Sequence, residues 1–249
     1  MKSKISVLLA VLAFASLETQ AGAISLGSAS SFGLLGGSGV TNAVAGTVVN
    51  NGNVGSSPTP AVTGFPPGVI NNGTLYTAAD FATAQAHADL QIAFTAAQTA
   101  PGGTPGPADL GGATLSPGVY TYASTAPWTA GALTLDGGGN PNAEWIFQIG
   151  SAITTPAGAS VVLQNGASAD RVFWQLGSSA TLGATNTFAG NILAQASITL
   201  GGGTLNGRAL ALDGLVSITS AQTVNVPEPG TLLLLGSGLG ILAFKKRPR

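Results

Sequence analysis

The sequence contains no cysteine, which excludes disulfides and thiolate metal sites. Charge is almost as scarce. Only 7% of the residues are charged, against roughly a quarter in ordinary globular domains. The basic residues collect at the two ends, as Lys2 and Lys4 and then Lys245, Lys246, Arg247 and Arg249. Residues 24–226 keep Arg171 and Arg208 against Asp80, Asp89, Asp109, Asp136, Glu144, Asp170 and Asp213, a net charge of −5. Nucleic acid is not an expected partner, because phosphate neutralisation needs clustered Lys and Arg.

Reactive constellations are missing as well. A Ser-His-Asp set would have to use His87, the only histidine. It sits among small residues on a predicted helix and reads as structural. Asp136-Gly137-Gly138-Gly139-Asn140 lacks the alternating carboxylates of a calcium loop and reads as a turn after a strand. Glycan cleavage would need facing carboxylates, and the acids here are scattered. No phosphate-binding loop, zinc spacing or nucleophile elbow occurs. The expectation is a protein that is not an enzyme and uses no metal or cofactor.

What the chain has in quantity is glycine, 37 residues, and apolar side chains, 45%. These come in short similar segments. Ala180-Thr181-Leu182-Gly183 is echoed by Ile198-Thr199-Leu200-Gly201 and, more loosely, by Val216-Ser217-Ile218-Thr219. Thr187-Phe188-Ala189-Gly190 is echoed by Thr204-Leu205-Asn206-Gly207, and Ile146-Phe147-Gln148 by Phe173-Trp174-Gln175. Self-similarity at a short period means stacked units, each covering its neighbour's apolar face. The expectation is a mostly β protein, a discontinuous β-solenoid with triangular coils of about 18 residues. One helix is predicted over 77–100, opened by Thr77-Ala78-Ala79-Asp80 and ended by Pro101-Gly102. Its wheel puts Phe81, Ala88 and Ile92 on one side and Leu90, Phe94 and Ala97 on the other, so it is predicted to pack alongside the coils.

Hydroxyls take the place of charge. Between Ile24 and Val226 there are 24 threonines. Side chains alternate across a strand. If Leu182, Leu200 and Ile218 point inward, then Thr181, Thr199 and Ser217 form an outward column. If Phe188, Leu205 and Val224 point inward, Thr187, Thr204 and Thr223 form a second. Threonine also simply suits solvent-facing strand positions. A rigid ladder of hydroxyls and methyls on a flat face has a further use, since it can order a layer of water that merges with ice. Charges would hold that water in competing orientations.

The two ends read as addresses. Lys2 and Lys4, the apolar run from Ile5 to Leu17 and the small residues Ala21-Gly22-Ala23 form a secretory leader over 1–23. At the other end, Val226-Pro227-Glu228-Pro229-Gly230 leads into an apolar run over 231–244 and a basic tail over 245–249. About 20 residues cross a typical bilayer, so the run is short for a span. The order Pro227, Glu228, Pro229, hydrophobic helix, basic tail resembles the PEP-CTERM sorting signal of Gram-negative bacteria. That resemblance implies transient membrane insertion, recognition by an exosortase, and release or transfer to the cell surface.

The body, residues 24–226, resembles the bacterial and fungal ice-binding-protein-like domain. The stretches that carry the resemblance include Leu26-Gly27-Ser28-Ala29-Ser30-Ser31-Phe32, Val62-Thr63-Gly64-Phe65-Pro66-Pro67-Gly68, Val172-Phe173-Trp174-Gln175-Leu176-Gly177-Ser178 and Asn206-Gly207-Arg208. The resemblance implies an extracellular solenoid with a helix alongside that adsorbs ice, inhibits recrystallisation or adheres to ice. The face implied is the one bearing Thr181, Thr199 and Ser217 or the one bearing Thr187, Thr204 and Thr223. Some active relatives carry Thr-Ala/Gly-x-Thr/Asn motifs, of which Thr125-Ala126 and Thr129-Ala130 keep the first half. The sorting signal by itself allows another reading, a structural or adhesive protein of the extracellular matrix in contact with exopolysaccharide.

Overall fold

The computed structural model describes residues 23–227. The predicted leader, the apolar run over 231–244 and the basic tail lie outside the described residues. Twenty short strands and one α-helix make up the fold, and every registered strand pair is parallel. The strands wind round three faces. A 14-stranded sheet supplies two faces and a six-stranded sheet the third.

The first two faces meet where the nine-residue strands Asn186–Ala194 and Gly203–Ala211 bend. Their opening residues pair on the second face and their closing residues on the first. Gly190 and Gly207 face each other at this corner, at φ 115° and 150°. A Cβ on Gly207 would stand 1.9 Å from the Gly190 carbonyl oxygen, so only glycine lets the two bends stack.

The winding is discontinuous. The strands Phe32–Gly36, Gly39–Asn42 and Val48–Asn50 begin the chain yet stack on the last coil, with Leu34 opposite Ala209, Val40 opposite Val216 and Val49 opposite Val224. The helix Phe81–Gln98 then runs back along the first face, and the coils resume at the far end with Thr104–Pro105. The interval between paired rungs is the same from Thr181 to Thr199 to Ser217 but longer from Thr154 to Thr181.

The helix starts later than its sequence suggests. Asp80, not Thr77, is the N-cap, and its carboxylate accepts the Ala82 N–H at 2.7 Å. Thr77 to Ala79 stay outside because the cap bond fixes the first turn at Phe81. Only one of its two apolar sides is used. Ala86, Leu90, Ala93, Phe94 and Ala97 pack on Leu35, Phe173, Leu193 and Leu210, whereas Phe81 is 83% and Ile92 66% exposed. His87 donates from Nε2 to the Leu212 carbonyl at 2.8 Å, and Gln148 donates to the Ala97 and Ala100 carbonyls at 2.9 Å. Those bonds tie the helix to the coils at its first half and at its C-terminal end, and they give His87 a structural role.

Inside, apolar residues of equivalent rungs stack. Tyr120, Phe147 and Trp174 lie in register, and the Phe147 and Trp174 rings are 4.0 Å apart and nearly parallel. Thr125-Ala126-Pro127-Trp128 contributes to this core, since Ala126 and Trp128 are buried and Trp128 packs against Trp174 and Phe188.

Candidate functional site

The helix covers the first face, leaving two faces open. On the third face the three-residue strands each present one outward side chain, and Leu215–Ile218 presents two, Leu215 and Ser217. Thr199 lies between buried Ile198 and Leu200, and Thr181 between buried Ala180 and Leu182. Register aligns Thr154, Thr181, Thr199, Ser217, Thr41 and Thr63 in one hydroxyl column. The sequence repeat supplied the middle three. The outer three come from strands without an obvious echo.

The second face is wider. Thr187, Thr204 and Thr223 stand in register above buried Phe188, Leu205 and Val224. Ser160 and Ala132 continue this column at one end, Val48 and Val69 at the other. Two residues along, a second column runs parallel to the first: Asn206, Asn225, Asn50 and Asn71. These four form a ladder. Asn71 donates its side-chain amide to Asn50, Asn50 to Asn225, and Asn225 to Asn206, each at 2.9 Å. Each amide is thereby held in one rotamer, which a solvated surface asparagine is not.

The ladder is absent from the sequence reading. A signal exists: Thr204-x-Asn206, Thr223-x-Asn225, Val48-x-Asn50 and Val69-x-Asn71 share one pattern. It escapes notice because two copies precede the helix and two lie in the last coils, far along the chain. Nothing in the linear order says that they stack.

None of the three columns on these two faces contains a charged residue. The acid at the second face's margin, Asp136, is tied into its turn. Its carboxylate accepts from Gly138 N–H, Asn165 and Gln164, and these bonds hold its pKa below the usual value. Asp109 is engaged similarly by Thr129 and Gly111. Arg208 is buried. It donates to the Ser30 carbonyl at 2.8 Å, to Asn191 Oδ1 at 2.8 Å and to the Pro227 carbonyl at 3.1 Å. Burial pulls its pKa down to about 10. Pro227 is thus the described end of the sorting motif, and Glu228 and Pro229 lie beyond the described residues.

Such an arrangement offers a rigid, uncharged lattice of hydroxyl, methyl and carboxamide groups. The profile of the family described as ice-binding-like matches residues 34–224. The chain belongs to this ice-binding-like family. A PEP-CTERM protein-sorting motif matches residues 225–247. An ice-binding protein of Nostoc sp. (strain HG1) is 46% identical, over 99% of this chain and 96% of its own. The crystal structure of an ice-binding protein from the Antarctic ascomycete Antarctomyces psychrotrophicus superposes with a TM-score of 0.74 at 41% identity, covering 83% of this chain and all of that one. A domain of Shewanella frigidimarina ice-binding protein 1 superposes with a TM-score of 0.75 at 28% identity, covering 83% of this chain and 98% of that one. Bacterial and fungal members of the ice-binding-like family therefore share this mostly β fold of parallel sheets with one helix. The sorting motif points to export and placement at the bacterial cell surface. Among the described residues no helix is long and apolar enough to cross a membrane.

Proposed function

We propose that this chain is an exported protein that adsorbs to ice through its second face. The observation that carries the reading is the pair of columns there, Thr187, Thr204 and Thr223 beside the ladder Asn206, Asn225, Asn50 and Asn71. Neighbouring strands are spaced at about 4.8 Å and alternate residues at about 6.7 Å. Two columns on one sheet make a grid in two dimensions. The third face, with Thr181, Thr199 and Ser217, offers a single column of hydroxyls and makes a line. A solid surface is matched by a grid better than by a line, so the second face is the better candidate of the two.

Rigidity supports the same reading. A surface already ordered before contact loses little entropy when it meets a solid. Parallel strands fix the threonines, and the ladder fixes the carboxamides. Methyls from Thr204, Thr223, Val48 and Val69 lie between the polar groups and favour ordered water over tightly held, misoriented water.

In this reading coils of about 18 residues set the rungs from Thr181 to Ser217. The leader 1–23 exports the chain. The motif Pro227-Glu228-Pro229, with the apolar run 231–244 held transiently in the membrane, delivers it through an exosortase to the surface of a Gram-negative cell. The similar proteins are named for ice, so the matrix reading and an exopolysaccharide partner are not favoured.

The test is an ice recrystallisation assay on the exported protein, with crystal shaping observed in parallel. Inhibition at micromolar protein is expected. Absence of any effect on ice at the highest soluble concentration overturns the proposal.

A further inference from the structure

The described chain begins by placing a backbone nitrogen against a half-buried acid. Ile24 N lies 3.3 Å from Glu144 Oε2. Glu144 is half-buried, at the entry to the strand Trp145–Ile149, and among the described residues this N–H is the one hydrogen-bond donor to its carboxylate. Ile24 also lines, with Leu26, Ser30, Asp170, Phe173 and Arg208, a cavity of about 260 Å³. Leu26 is 7% exposed, and both Ile24 and Leu26 join the core beneath the helix.

As it stands in the unprocessed chain, this is a poor site for a carboxylate. Burial raises the Glu144 pKa, and only the neutral Ile24 N–H and the charge of Arg171 oppose it. Arg208 is committed to Ser30, Asn191 and Pro227. Half-buried acids are normally given a cation, because desolvation otherwise costs more than a single neutral hydrogen bond returns.

Ala21-Gly22-Ala23 places a leader cleavage site directly before Ile24. Water adds across the Ala23–Ile24 peptide bond under a membrane signal peptidase. The C–N bond breaks, Ala23 leaves with a carboxylate, and Ile24 keeps a protonated amine. We infer that Glu144 is the receptor for this new amino terminus: processing after Ala23 converts the Ile24–Glu144 hydrogen bond into an ion pair that anchors the start of the mature chain. The nitrogen needs no movement to make the pair, only its charge. A terminus one residue earlier would carry the charge about 3.8 Å farther along the chain, away from the carboxylate.

The inference rests on the export in the proposed function, but its test is independent of ice. The processed chain, Ile24 to Arg249 in mild detergent, is compared with the same chain begun at Ala23, each with and without Glu144→Gln. The Ile24 start is expected to melt roughly 2–4 °C higher at pH 7. That difference should vanish with Glu144→Gln and above about pH 10, where the amine is neutral. Protein recovered after export should begin at Ile24. A difference that survives Glu144→Gln, no difference at all, or a different first residue overturns the inference. Should Glu144→Gln fail to fold, the NMR titration of the Ile24 amine decides. A pKa above the ordinary value of about 8 supports the pair, and an ordinary value removes it. Loss of ice activity in any of these chains bears on the second face and leaves the pair untouched.

Discussion

The Asn50 side-chain amide donates to the Asn225 carboxamide oxygen at 2.9 Å, joining residues 175 positions apart. This bond sits in the middle of the asparagine ladder and crosses the seam where the chain's first coils stack on its last. The seam also lies within the proposed ice surface. A hydrogen bond that closes the fold therefore also continues the grid.

Replacing Asn225 with alanine removes two rungs of the ladder, one from Asn50 and one to Asn206. A neutral hydrogen bond nets about 1 kcal/mol, and less where water can substitute. Stability should fall by no more than about 1–2 kcal/mol, read from urea denaturation. Recrystallisation inhibition should fall much further, because Asn50 and Asn206 lose their fixed rotamers. A variant that is destabilised but keeps full ice activity removes the ladder from the site.

The two open faces are separated by matched substitutions. Thr204→Lys places a charge in the second-face grid, and Thr199→Lys places one in the third-face column. Both side chains point outward, so both variants should retain stability within about 0.5 kcal/mol. Inhibition of recrystallisation should be lost in Thr204→Lys and kept in Thr199→Lys. The reverse result assigns ice to the third face.

Helix docking is tested by two phenylalanines on opposite sides. Phe94 is 3% exposed against the first face and Phe81 is 83% exposed. Phe94→Ala should cost about 3–5 kcal/mol in denaturant unfolding. Phe81→Ala should stay within about 0.5 kcal/mol.

Acid should loosen the start of the chain. Asp89 accepts the Ser28 N–H at 2.7 Å and is bonded by Gln85, and the Ser28 bond chiefly lowers its pKa below 3.8. A depressed folded pKa contributes stability that is present above the unfolded value and lost as pH falls through the folded one. Melting temperature should therefore decline below about pH 4, and Asp89→Asn should flatten part of that decline while lowering stability at neutral pH.

Gly207→Ala should abolish soluble folded protein. Its Cβ would meet the Gly190 carbonyl at 1.9 Å, backbone against backbone, with no side chain able to yield. Circular dichroism of a soluble, normally melting Gly207→Ala variant would show that the corner can open.

Much of the fold is legible along the chain because alternation is local. Thr204 and Leu205 must lie on opposite sides of a strand wherever that strand goes, so the inward and outward residues of both columns follow from spacing alone. The repeats from Thr181 to Ser217 likewise announce their own stacking. The predicted leader, the sorting motif and the scarcity of charge are properties of composition and order. Three things depended on tertiary structure. The helix has two apolar sides, and packing chose the one bearing Leu90 and Phe94 because that side meets Leu193 and Leu210. Asp80 beat Thr77 for the cap because its carboxylate reaches Ala82. Above all, parallel strand pairing is non-local, and register across the seam is set by the interlocking of Leu34, Val40 and Val49 with Ala209, Val216 and Val224. That register carries Asn50 and Asn71 onto the column begun by Asn206 and Asn225, and no pattern within either segment specifies it.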